Sequence, residues 1–484
     1  ADSAFALAYY RMSIAAEWIG ALAISRDASE RAVQNDGRLP ERERRLLEAS
    51  LALRRGDAAE AERLYDDVTS LYPEDVEAWH EMGEVLFHYN PVRGRSISES
   101  RGAFERVLEL DPDNVSALFH LARIAARERD YGELDSLVRR AEMLQPESER
   151  MLELAALRAF SVGDSAERRS VVARAQHASG QVVSSMVNGA LFVEDLVAMQ
   201  QFAASLTGPT RSRLDRLAAY VLGAWSSAGA GQLATAESEF TALAQMREPD
   251  DAPLGTIGLA MLAAWPHLPL PRDRLEPIRD DLLEWDPEQQ PMVRTDIEVP
   301  IAAYVRLYLL GIVSLRLGDE DAALNYADTL GDMDAPAGSG SLVADLAYTL
   351  RALVARDRGR IDEALSLIEQ ARYETYYVLA AISGIYSQSA SRFLRAELLA
   401  AAGRREEAIR WYDASASLFA FDAVNLAPSH LRRAELYEGL GDYERARLHY
   451  ARFVELWQDP DPELRPMVES AQRALERLSA ESGK

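Results

Sequence analysis

The residues with the most evident capacity for chemistry are His80, Glu84 and His88, with His120 further along the chain. Steps of four put the first three on one face of a helix, and imidazole with carboxylate is a ligand set that suits zinc. Residues eight apart on a helix are separated by about 12 Å. His80 and His88 are therefore too far apart to share an ion, and Glu84 can serve only one of them, with His120 falling in the adjacent hairpin. The spacing predicts a polar patch and no metal site. Other reaction chemistry has little to work with. Cysteine is absent, which removes thiol nucleophiles, disulfides and thiolate zinc sites, and lysine occurs once, at Lys484. A Walker-type phosphate loop, a protein-kinase nucleotide site and a pyridoxal Schiff base each need a placed lysine. The Gly-Ser tract at 338–341 lacks the flanking strand and helix that a phosphate loop requires. Acidic pairs such as Asp66-Asp67 and Glu406-Glu407 read as solvated helix positions. The sequence predicts no catalytic residues and no cofactor.

The elements that position these side chains are short amphipathic helices in pairs. The clearest pair is 430–457, HLRRAELYEGLGDYERARLHYARFVELW. Ala434 and Tyr437 lie three apart, and Ala446, Tyr450 and Phe453 follow at steps of four and three, so each set shares a helical face. Gly441 stands where the first helix must stop and turn, and accepts positive φ without steric cost. Asp442 is placed to cap the second helix. Neither helix is long enough to be stable alone, so neighbouring copies must complete the core.

The pattern resembles the tetratricopeptide repeat. Ala434, Tyr437, Gly441, Asp442, Ala446 and Tyr450 occupy the signature positions of that family's frame of about 34 residues, and Phe453 stands where the family prefers Ala. Weaker copies run back to the N-terminus. Tyr9, Met12 and Ser13 take the large, medium and small positions of an opening unit that starts inside a repeat, with Gly20 at its turn. A unit at 42–73 turns at Gly56-Asp57, faces Ala61 and Tyr65 inward and closes at Pro73. The next carries Trp79, Met82, Gly83 and Phe104, and its insert, 88–100, is broken at Pro91 and reads as a plain lengthening of the turn, with a projecting loop as the alternative. Units at 115–146 and 152–175 follow, then a degenerate stretch at 181–206 and a hairpin with Ala224, Gly231, Ala236 and Phe240. Residues 248–300 are punctuated by prolines and read as an irregular repeat, with Pro277 expected in the first turn of a helix. Gly318, Gly359, Gly403 and Gly441 mark regular turns separated by 41, 44 and 38 residues. These intervals require helices or links longer than the minimal repeat, and 331–341 reads as a flexible linker.

The expected fold is all-α, a tetratricopeptide-like solenoid of about twelve antiparallel helical hairpins wound into a curved superhelix. Its expected divisions are an N-terminal array over 1–180, irregular repeats over 181–300, a C-terminal array over 301–457 and a capping helix over 458–484. In that family the first helices line a concave groove. The resemblance assigns Tyr10, Trp18, His80, Glu84, Phe87, Phe119, Arg123, Trp225, Tyr308, Arg356, Phe393 and Glu397 to the groove. It implies a non-catalytic scaffold that binds protein or peptide through apolar and aromatic anchors. The Lys, Asn and Arg set with which some members read a C-terminal carboxylate is absent. The closing stretch also resembles the C-terminal repeat arrays of large bacterial signalling proteins. That implies an alternative, the sensory or docking segment of a longer kinase, cyclase or transcriptional regulator. A net charge of −25 argues against nucleic acid as the partner. No run of eighteen apolar residues suggests membrane insertion, and the absence of cysteine leaves the compartment undecided.

Overall fold

Helix starts and stops are set by side chains that the repeat supplies at the same places. In the computed structural model, which describes residues 5–18, 20–292 and 299–481, aspartate or asparagine caps one helix after another. Asp57 accepts from the Glu60 amide, Asn114 from Ala117, Asp130 from Glu133, Asp319 from Ala322 and Asp442 from Arg445. Each such bond satisfies one of the free N–H groups at a helix start. Ahead of the Asp442 cap the chain turns through Gly441 at φ 79°, a conformation in which a Cβ would crowd the backbone. The corresponding turn before Asp130 uses Arg129 instead, at φ 61°.

Among the described residues every regular element is an α- or 3-10 helix, and none is long and apolar enough to cross a membrane. Consecutive helices pack as hairpins, Glu41–Arg54 on Ala58–Leu71, Val115–Glu128 on Tyr131–Leu144 and Ala423–Gly439 on Tyr443–Leu456. Buried alanines such as Ala61, Ala78, Ala434 and Ala446 let the helices approach closely. The molecule is an all-α solenoid of helical hairpins.

Several local expectations are corrected. Residues 88–100 do not project as a loop. His88 and Tyr89 complete the helix Val76–Tyr89, and two 3-10 turns, Pro91–Arg93 and Ile97–Ser100, bury Val92, Ile97 and Ser100. Arg93 and Arg95 clamp Glu62, and Gly94 lies against Trp411, so the insert is a wedge between the two ends of the chain. The 331–341 stretch is pinned rather than free: the Ser341 amide donates to the Glu374 carbonyl, and the Ser341 hydroxyl accepts from the Glu374 amide. Pro277 sits in the second turn of Arg272–Glu284, not its first. The helix expected to begin near 430 begins at Ala423 and contains Pro428. Its extra turns account for part of the wide spacing of the last glycines.

The C-terminal helices do not continue outward. They fold back against the inner face of the earlier repeats, and the buried apolar residues of both arrays join in one cluster reaching from Leu22 to Leu478. Residues 414–431 are buried without interruption. Their polar groups find partners in distant repeats or in each other. The Trp265 indole N–H donates to Asn425 Oδ1 at 2.7 Å, and the Asn425 amide donates to the carbonyls of Ser389 and Ser415. The Ala420 amide donates to Asn188 Oδ1, and the Trp457 indole to the Gly229 carbonyl. Asp422 pairs with Arg392, both fully buried. Burial without hydrogen bonds would cost each of these groups on the order of 1–3 kcal/mol, so the network fixes one position for the segment.

Candidate functional site

The aromatic residues expected to line an open groove are placed inward and covered. Tyr10, Phe87, Phe119, Trp225, Tyr308 and Phe393 are all buried, so none presents a free face as an anchor. The Tyr10 hydroxyl donates to Glu77. Phe119 lies beneath the guanidinium of Arg150, and Phe393 packs against Tyr412. Trp225 meets Trp265 and Phe421, the latter at the start of the folded-back segment. At Trp225 the covering group comes from the C-terminal part of the chain, whereas Phe87 packs on His120 and Phe192 and Phe119 on Arg150 of neighbouring repeats. The side chain of Trp18, which ends the first helix, lies outside the described residues. Arg123 is half-buried against Glu153 at 2.6 Å, and Arg356 pairs with its neighbour Asp357.

Two of the expected positions, His80 and Glu84, belong to a polar cluster on the helix Val76–Tyr89. His80 Nε2 lies 3.6 Å from Glu84 Oε1, and His88 Nε2 lies 3.2 Å from Glu84 Oε2. His120, from the first helix of the next hairpin, brings its Nε2 to 3.3 Å from Glu84 Oε1. The three ligand-type atoms of Glu84, His88 and His120 lie within 4.8 Å of one another. Spacing along one helix correctly separates His80 from His88, but it could not supply the third group from the neighbouring repeat. Burial opposes charge on His80, yet Glu81, Glu84 and Glu77 outweigh it and lift the imidazole to about 9. Burial, helped by Arg123 and His88 and opposed by Glu84, pushes His120 down to about 3. Tyr377, from the short helix Tyr377–Ile382, covers the cluster. Its ring stacks on His88 at 4.2 Å, its amide donates to the Tyr89 hydroxyl and its own hydroxyl donates to Glu17.

The remaining expected residue, Glu397, borders a cleft that stays open. Helices Ser389–Ala401 and Ala423–Gly439 diverge around a space of about 400 Å³, lined by Glu397, Arg405, Tyr412, Arg432, Glu435 and Leu436 among others. Glu397 accepts from the Tyr412 hydroxyl at 2.7 Å and from Arg432 Nε at 2.9 Å. Arg432 also reaches Glu435, and Arg405 donates to the Gly439 carbonyl. Burial, and then the Glu397 carboxylate, raise the Tyr412 phenol well above its ordinary range. The cleft therefore offers charges of both signs on a small apolar floor.

Sequence reasoning did not single out Glu194, Tyr377, Arg432 or Glu435. The first two act through contacts more than 230 residues away in sequence, which no local pattern encodes. Arg432 and Glu435 lie on the first helix of the clearest hairpin, and their charge was the only available signal.

The matches to family models agree with a repeat architecture. Two models of the tetratricopeptide repeat match the chain, one at residues 46–89 and 92–133 and the other at 427–458. Among solved structures, the chain is similar to one of Naa15/Naa10 bound to HypK-THB, with 16% identity over 98% of this chain and a TM-score of 0.26. It spans 66% of that chain. It is also similar to the APC/C hetero-tetramer Cut9-Hcn1, with 13% identity, 97% and 96% of the two chains covered and a TM-score of 0.31. For yeast Tom70 the identity is 12%, the coverage 98% and 96%, and the TM-score 0.33. No curated protein matches the sequence. The chain is an all-α solenoid that carries tetratricopeptide repeats towards both of its ends.

Proposed function

We propose that the protein is a non-catalytic scaffold that binds a protein or peptide, and that it does so through the first-helix face of its C-terminal repeats. The observation that carries this reading is the cleft between Ser389–Ala401 and Ala423–Gly439, where first-helix side chains stay accessible while the inner face of the earlier repeats is filled. With no aromatic side chain free to anchor a ligand there, recognition rests on Arg405, Arg432, Glu397 and Glu435 with Leu436 beneath. The fitting partner is an extended segment carrying charges of both signs and small apolar residues. Such charges set specificity and the rate of encounter more than affinity. The test places a photo-crosslinking residue at Glu435, which is exposed, and recovers the attached chain. The reading expects a polypeptide adduct that is lost in Arg405→Glu with melting unchanged. An adduct indifferent to Arg405→Glu, or equally abundant from a probe at exposed Arg169 on the opposite side of the chain order, contradicts it.

A further inference from the structure

The Glu84, His88 and His120 cluster carries a second, independent possibility. His120 Nδ1 lies 2.9 Å from the Ser116 carbonyl, which can only accept, so Nδ1 bears the hydrogen. Its other nitrogen, Nε2, is fully enclosed, makes no hydrogen bond, and faces a carboxylate oxygen of Glu84 at 3.3 Å. In the neutral ring this sets a lone pair against an anionic oxygen. A cation between them removes the conflict. The supporting bond from Nδ1–H to a backbone carbonyl is the one that orients metal-binding imidazoles and raises their basicity.

The distances fit the same occupant. In a tetrahedral zinc site with bonds of about 2.1 Å, neighbouring ligand atoms are separated by roughly 3.4 Å. Glu84 Oε2 lies 3.2 Å from His88 Nε2 and Glu84 Oε1 lies 3.3 Å from His120 Nε2; one ligand atom from each residue lies within 4.8 Å of the other two, and a small turn of the partly exposed His88 ring brings both imidazoles onto a single carboxylate oxygen. The rings are already held. Phe104 stacks on His120 at 4.4 Å, Phe87 meets its edge at 4.8 Å, and Tyr377 stacks on His88. The nearby Arg123 is neutralised by Glu153 at 2.6 Å. His80 approaches Glu84 Oε1 from the other side, at 3.6 Å, as a supporting neighbour.

We infer that Glu84, His88 and His120 form a binding site for a zinc-class divalent ion, which would join the first helices of two consecutive repeats, Val76–Tyr89 and Val115–Glu128. Nitrogen-rich ligation with one carboxylate selects such an ion over magnesium or calcium. Three protein ligands leave one position for water or for a group from a bound partner. The inference stands independently of the C-terminal cleft, which uses none of these residues.

The experiment strips the full chain with a chelator, titrates it with Zn²⁺ against a chromophoric competitor, and records the visible spectrum with Co²⁺. One equivalent of tight binding is expected, with Co²⁺ bands of a four- or five-coordinate ion. Affinity should fall at least about a hundredfold in His120→Ala and in His88→Ala, more than loss of a supporting neighbour usually costs, and should be unchanged in His449→Ala. His88 is partly exposed, so its variant reports on binding even if His120→Ala fails to fold. Failure of the wild-type chain to take up an equivalent of either ion overturns the inference. So does uptake that both His88→Ala and His449→Ala leave intact.

Discussion

At the scale of single residues, the turn and cap positions follow from backbone chemistry alone. Gly441 has φ 79° and open space where a Cβ would stand, so Gly441→Ala carries only the left-handed strain. It is expected to destabilise by about 1–2 kcal/mol, measured by denaturant titration. Gly56, at φ 80°, bears the same strain, and a Cβ there would also fall 2.7 Å from the backbone of Thr375. Gly56→Ala should therefore be the more damaging of the two, and equal losses would argue against the contact with Thr375. Two carboxylates, the buried Glu194 and the half-buried Glu239, predict opposite dependence on pH. Burial would raise Glu194, but His430, Arg127 and Arg452 outweigh it and hold it well below the carboxylate range. Its stabilisation is complete above the unfolded value, about 4.3, and is lost as pH falls through the lower folded value. Glu194→Gln should thus cost about 3–5 kcal/mol at pH 7, as expected for one lost partner of a buried ion cluster, with a difference that shrinks below about pH 4. Glu239 behaves in reverse: burial, only partly opposed by the Ser227 hydroxyl, raises it to about 7. Its favourable form is fully present below about 4.3 and is lost as pH rises through 7. Glu239→Gln should melt higher than the wild type at pH 8 and converge with it in acid.

At the scale of elements, the hairpins were legible because their determinants are local. Ala434, Gly441, Asp442 and Ala446 specify a turn and a close helix contact within a few residues of one another, and the structure places them as the repeat requires. What lies between such hairpins was less legible. The 88–100 insert reads as polar loop, yet Arg93 and Arg95 are consumed by Glu62 and its apolar residues are wedged inward. The 414–431 segment did carry a signal. Asp422 is its only acid, it has no lysine or arginine, and it lacks the polar face of a surface helix, a pattern that marks burial on all sides. Asn425 tests its placement. Asn425→Leu conserves size but leaves the Trp265 indole unpaired and removes the Asn425 bonds to the carbonyls of Ser389 and Ser415. At about 1–3 kcal/mol for each unpaired buried group, the expected loss exceeds that of Gly441→Ala, and calorimetric melting compares them. A loss of under about 1 kcal/mol would show that Asn425 is solvated instead.

At the scale of the whole molecule, the C-terminal helices pack back on earlier repeats, Ala423–Gly439 against Arg213–Gly229 among them, and this bears on where the proposed partner would bind. The burial of candidate groove residues such as Phe87, Phe119 and Trp225 was not legible, because accessibility depends on contacts such as Tyr377 with Glu17 and Arg452 with Glu194, hundreds of residues apart. The same closure brings Tyr377 over the histidine cluster and leaves the cleft beside Glu397 open. Amide hydrogen exchange tests this closure most directly. If residues 414–431 are enclosed by the earlier repeats, peptides from that segment should exchange among the slowest in the chain, far more slowly than those from the largely exposed helix Ser165–Ala175. Glu194→Gln should speed exchange in 414–431 and in 76–128 together. Exchange of 414–431 as fast as that of Ser165–Ala175 would contradict the account, because it would mean that the inner face is open to solvent and free to take a ligand.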